Sequence, residues 1–253
     1  LLSLLGRPTP DQVTHPVLAE HLTRPEDDEV LEGLGLFLLA MIDSKGRVFN
    51  RYAHRFKPCK QDPDGEFDYP REFCEGEKEP LYYPGEVMLA LVRLHIRTGE
   101  ERWLEGATRI ADWQVSLYHD RRPNPDHWVM QALWYLYDLT GDESYGRCAL
   151  HMGDRHASEQ FPPHWPPFRD YFGCYRRIND LPRTTRACSR SEAMGGVVHT
   201  AWKMGANPTT YEEALLRAAE HLRARQCAPE NSWALPHPHT ARGAIRMGLD
   251  DTP

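Results

Sequence analysis

Three carboxylates stand at matching places in this chain. Glu86, Asp126 and Glu192 each open a long apolar stretch. Beside them lie Tyr82 and Tyr83, His127 and Trp128, and Arg186 and Arg190. Paired carboxylates can pass protons or attack a glycosidic carbon, and guanidinium groups fork onto carboxylate or phosphate. Aromatic rings stack on sugar faces. The set suits sugar chemistry, with Glu86, Asp126 and Glu192 as the candidate acids or bases. Tyr82, Tyr83, His127, Trp128, Tyr171, Arg186 and Arg190 are the candidate substrate contacts. If the reaction removes a proton beside a carboxylate, Tyr83 or His127 becomes the base. Each residue also has a plainer reading. Acids are favoured in a first helical turn by the helix dipole alone, and Asp126 follows Pro125 as a cap would. His127 fits equally as a hydrogen-bonded structural histidine.

The elements that must hold these residues are read from a repeat. "YYPGEVMLALVRLHIRTGEERWLEGATRIADWQ", residues 82–114, returns at an offset of 42 as "PDHWVMQALWYLYDLTGDESYGRCALHMGD". Val87 meets Val129, Met88 meets Met130, Trp103 meets Tyr145 and Asp112 meets Asp154. "RSEAMGGVVHTAWKMGANPTTYEEALLRAAEHL" is a fainter third copy, and "EVLEGLGLFLLAMIDSKGRVF" reads as the second helix of an earlier one. A period of this size marks helical arrays. In each copy the first helix is apolar nearly all round and must be buried, and the second is amphipathic. Gly99, Gly141 and Gly205 end the first helices at the left-handed cap position. A buried helix, a tight turn, an exposed helix and a longer return make an all-α fold, an α/α toroid of inner and outer helices.

The phrases "YYPGEVMLALVRLHIRTGEERWLEGA", "DHWVMQALWYLYDLTGDESY" and "RSEAMGG" resemble the six-hairpin glycosidase superfamily, the (α/α) barrels of unsaturated glucuronyl hydrolases, N-acylglucosamine epimerases and the C-terminal domain of D-glucuronyl C5-epimerases. The resemblance covers residues 82–227. It implies a carbohydrate-active enzyme using hydrolysis, elimination or epimerisation. Only about three and a half hairpins are visible, so the ring is expected to be incomplete within these residues. "GAIRMGLDDTP" stops where another inner helix should begin, so the chain is expected to continue beyond Pro253. The whole reads as one domain: an N-terminal segment 1–28, a β-hairpin insertion in 43–81 around "DSKGRVFNRYAHRF", a loop 161–189, and a tail 228–253.

The returns differ in length while the turns stay constant, which places function on the return side, at the N-termini of the inner helices. The third return is rich in arginine. Residues 169–190 hold six arginines against two aspartates in a chain of net charge −7. With Tyr171 nearby, that points to an anionic sugar, a uronate or a phosphorylated one. The plainer reading is that these arginines pair with neighbouring acids.

Composition removes other classes. The net acidity argues against a general nucleic-acid binder. No apolar run is long enough to span a membrane. No metal is expected: His237 and His239 have no third ligand, and the zinc set of the lanthionine-cyclase toroids has no matching Cys–His group. Nor is there a glycine-rich phosphate loop, so no cofactor is expected. The dominance of arginine over lysine fits a bacterial, GC-rich source, and the cytoplasm is the expected compartment. Six cysteines in a chain this long are no disulfide scaffold, although Cys59 with Cys74 and Cys174 with Cys188 could pair in an oxidising compartment. Two alternatives to an enzyme stay open: a non-catalytic helical module binding a glycan or protein, and a subunit completed by a partner chain.

Overall fold

The computed structural model describes residues 25–49, 82–121, 126–161, 171–175, 183–233, 235 and 237–246. Seven helices run through them: α1 Pro25–Ala40, α2 Tyr83–Thr98, α3 Glu101–Arg121, α4 His127–Thr140, α5 Glu143–Ser158, α6 Thr184–Lys203 and α7 Thr209–Arg225. The chain divides into two compact units, residues 1–145 and 146–253, with the boundary in the first turn of α5. The fold is all-α and of the α/α toroid class.

Inner and outer helices separate as the repeat predicts. On α2, Val87, Met88, Leu91 and Val92 are buried, and on α4 Val129, Met130, Leu133 and Leu136 are. In the second unit Met194, Val197 and Ala201 bury α6. On the outer helix α3 one stripe is buried, Trp103, Ala107, Ile110 and Ala111, while Glu101, Glu105 and Arg109 face solvent. Each large apolar side chain taken from water contributes about 1.5–3 kcal/mol, so the stripes fix which face turns inward. Gly99 and Gly141 close α2 and α4 with φ 73°.

Successive outer helices are joined by one recurring contact. Tyr145 donates its hydroxyl to Asp112 at 2.7 Å, and Tyr211 donates to Asp154 at 2.7 Å. Burial and the acceptor carboxylates push both phenols well above their ordinary range. The residue before each aspartate is small, Ala111 or Gly153, and a Cβ on Gly153 would lie 3.3 Å from the Tyr211 ring. In the first copy Gly35 meets the Trp103 ring, where a Cβ would fall at 2.8 Å. Leu36 stands there in place of the aspartate, so the indole has no carboxylate to bond. Tyr211→Phe should therefore cost about 1 kcal/mol of unfolding free energy. Urea denaturation measures it, and no loss would mean that the bond is not made in solution.

Two returns and the tail close in one way. Isolated antiparallel bridges join Ile42 to Val48, Gln160 to Tyr175 and Gln226 to Ile245. Two residues before the far end of each lies a glycine with positive φ: Gly46, Gly173 and Gly243. The expected β-hairpin is reduced, among the described residues, to the first of these bridges. The reason is local: the Asp43 carboxylate accepts the Lys45 and Arg47 N–H groups at 2.9 and 2.8 Å, holding a turn too tight for paired strands. The remainder of 50–81 lies outside the described residues.

Candidate functional site

In the first unit, the N-termini of α2 and α4 are brought together by a missing side chain. Gly85 is buried, and a Cβ there would lie 2.5 Å from the Val129 nitrogen, 2.7 Å from the Trp128 Cβ and 2.9 Å from Asp126 Oδ2. Only glycine lets the two helix starts approach so closely. The approach sets Glu86, next in sequence and exposed, beside Asp126. Tyr82 is exposed at the N-cap of α2, with its ring 5.4 Å from that of His127, which lies 4.9 Å from Trp128. Thus Tyr82, Tyr83, Glu86, Asp126, His127 and Trp128, all marked from sequence, form one cluster.

Asp126 is the unusual member. Its Oδ1 accepts the Trp128 N–H at 2.9 Å, capping α4, and His127 Nδ1 lies 3.7 Å from the same oxygen. Oδ2 is sealed over Gly85 without a hydrogen-bond partner. Burial pushes the carboxyl up to about 8, and the charge of Glu86 adds to the rise against the lowering by backbone N–H groups. Asp126 is therefore held as a neutral acid at neutral pH, beside an exposed carboxylate. Its burial sets it apart from a group that meets substrate directly, because both oxygens are already enclosed. Burial, and then the Glu86 charge, raise the Tyr83 phenol as well, which disfavours it as a base.

The second unit carries the remaining candidates. Glu192 lines a cavity of about 380 Å³ with Thr184, Thr185 and Ser189 of α6 and with Ile245 and Arg246 of the tail. The Thr184 hydroxyl is bonded to the Arg246 carbonyl, which ties the tail to the start of α6. Arg246 and the threonines were not marked from sequence: the tail offers no periodic pattern to place it. Arg190 does not stand open. It pairs with Glu159 at 3.0 Å and lies 5.3 Å over the Tyr175 ring. Burial alone would raise the Glu159 carboxyl, but His156, Arg190 and Arg155 together hold it below its ordinary value. Tyr171 packs edge-on against Phe161, ring centroids 5.3 Å apart. Arg186 is half-buried on α6. The arginines at 169, 176 and 177 lie outside the described residues.

Cys174 and Cys188 are unbridged. Cys174 is buried with its sulfur 3.8 Å from the Tyr175 carbonyl, while Cys188 sits on the exposed face of α6. The pairing left open for an oxidising compartment is not made between Cys174 and Cys188, and Cys59 and Cys74 lie outside the described residues. Cys148 and Cys227 are buried, Cys227 just past the end of α7. Among the described residues no cluster of three histidine, cysteine, aspartate or glutamate side chains could hold a metal, and no helix is long and apolar enough to cross a membrane.

No family model matches the chain, and no curated protein sequence does. A solved structure does: an inactive variant of alpha-1,6-mannanase, GH76A of Salegentibacter sp. HEL1_6, with two aspartates replaced by asparagine, in complex with alpha-1,6-mannotriose. The match has a TM-score of 0.52 at 15% identity and covers 81% of this chain and 53% of that one. The chain thus spans about half the length of that structure. At this identity the likeness is one of fold.

Proposed function

We propose that this chain is a carbohydrate-active enzyme, one α/α toroid domain over residues 1–253, with its site at the N-termini of the inner helices. The observation that carries the proposal is the pair at the start of α2 and α4. A buried carboxyl raised to about 8 stands beside an exposed carboxyl group that substrate can reach. Glu86 is the group that meets substrate. Asp126 acts through it as a positioning residue, because a neutral neighbour spares Glu86 a second negative charge. Tyr82, His127 and Trp128 form the sugar platform, and Glu192 lines a separate cavity in the second unit. The substrate class is an anionic sugar or glycan, a uronate or a phosphorylated sugar, for which Arg186 supplies charge. Arg190 can join it only by giving up Glu159. The mannanase likeness adds a neutral class, alpha-1,6-linked mannose oligosaccharides, as the first competitor.

A panel of uronate oligosaccharides, sugar phosphates and alpha-1,6-mannooligosaccharides decides among these. Turnover of the charged members and not of mannooligosaccharides is expected. Turnover of mannooligosaccharides alone would overturn the anionic assignment. The ion pair of Arg190 with Glu159 favours a second reading, a non-catalytic glycan-binding module. Binding of a panel member, by calorimetry, with no product formed would establish it.

A further inference from the structure

The closure at the tail has the parts of the other two without the helix they grip. In each closure the residue after the near bridge position donates to the residue after the glycine and accepts from the glycine itself. Asp43 N donates to the Arg47 carbonyl at 3.0 Å, Phe161 N to that of Cys174 at 2.9 Å, and Cys227 N to that of Ala244 at 2.7 Å. Gly46, Gly173 and Gly243 donate back to Asp43, Phe161 and Cys227 at 3.1, 3.4 and 2.8 Å. Their φ angles are 87°, 78° and 84°. At Gly46 a Cβ would fall 2.0 Å from the Arg109 carbonyl of α3, and at Gly173 1.9 Å from the Arg217 carbonyl of α7. A neighbouring outer helix therefore lies against each bare Cα. At Gly243 a Cβ would meet no described residue within 4 Å.

The side-chain parts recur too. Gln160 donates to the Gly173 carbonyl at 2.9 Å and across to the Ala214 carbonyl of α7 at 2.8 Å. Gln226, at the same place in its copy, donates to the Gly243 carbonyl at 3.4 Å. On the helices, the small–acid step Ala111–Asp112 or Gly153–Asp154 receives the phenol of the next outer helix. The same step on α7 is Ala219–Glu220, and both residues are exposed.

We infer that the outer face of α7 and its closure form a docking surface for a further amphipathic helix of this outer type, supplied from outside these 253 residues. The repeated geometry specifies its chemistry. It carries a tyrosine or tryptophan to lie on Ala219 and donate to Glu220. Six residues on, the spacing of Trp103 to Arg109 and of Tyr211 to Arg217, it presents a main-chain carbonyl to Gly243.

The test is a titration of the ¹⁵N-labelled 253-residue chain with a stapled peptide of sequence 209–225, shown helical by circular dichroism. Saturable shifts at the Gly243, Gln226 and Ala219 amides are expected. They should weaken at least tenfold with Ala219→Arg in the protein or Tyr211→Ala in the peptide. No shift at those amides up to millimolar peptide, or shifts indifferent to Ala219→Arg, would overturn the inference. Self-association of the chain that Ala219→Arg abolishes would give the face to a second copy and overturn the occupant named here.

Discussion

Glu86→Gln should lower turnover by about 10²–10⁴-fold on whichever oligosaccharide the wild-type chain converts, with the fold intact. The substitution keeps size and removes only the ability to exchange a proton. Glu86 is exposed, so its effect on unfolding should stay within about 0.5 kcal/mol. Asp126→Asn should behave differently. An asparagine oxygen can still cap α4, and the amide stays neutral at every pH. Wild-type Asp126 is protonated in the folded chain up to about 8, whereas an unfolded aspartate ionises near 3.9. Between those values the folded chain holds a proton that the unfolded chain has released. The stability contributed by Asp126 is thus fully present below about 3.9 and is lost as pH rises towards 8, at up to about 1.4 kcal/mol per pH unit. Asp126→Asn should remove that slope. It should leave turnover below pH 8 near that of wild type, because a neutral group stands beside Glu86 in both chains. Unfolding at pH 5 and pH 8, beside kcat/KM over the same range, reads both. Equal turnover for Glu86→Gln and wild type would move the chemistry away from this mouth. Identical pH slopes for Asp126→Asn and wild type would mean that the carboxyl is ionised in the fold.

The hairpins were legible because each residue type speaks for its own position. An apolar helix beside an amphipathic one, with glycine between, has one way to bury its surface, and Val87, Met88, Leu89, Leu91, Val92 and Leu94 are buried accordingly. The cluster at the start of α2 and α4 was legible for the same reason: Glu86 and Trp128 align in the repeat and so point the same way. What spacing could not show was depth. Asp126 and Glu86 look alike in sequence, yet the close approach at Gly85 encloses one and leaves the other in solvent. Charge runs were misleading for a related reason. Arg190 belongs to an arginine-rich stretch, but Glu159, one helix earlier, is within reach of it. The tail has no helical period, so Arg246 beside Glu192 was beyond the reach of pattern.

Gly173→Ala and Gly243→Ala should differ sharply although the two glycines share a backbone conformation. Each has φ near 80°, where an alanine costs about 1–2 kcal/mol. Gly243→Ala should cost about that and no more, because its Cβ would meet none of the described residues. At Gly173 the same Cβ would also lie 1.9 Å from the Arg217 carbonyl and 3.2 Å from the His221 Cβ. Either the return must lift from α7 or the helix must shift, which adds about 1–3 kcal/mol of overpacking. Lifting it would also strain the Gln160 bond to the Ala214 carbonyl and the His221 contact with the Phe172 carbonyl at 3.1 Å. The expected loss at Gly173 is therefore about 3 kcal/mol or more, read as a fall in the urea midpoint at unchanged slope. Equal losses at the two positions would show that the return does not seat on α7 in solution. A small loss at Gly243 beside a large one at Gly173 would mark the first as the same closure with its helix face still open.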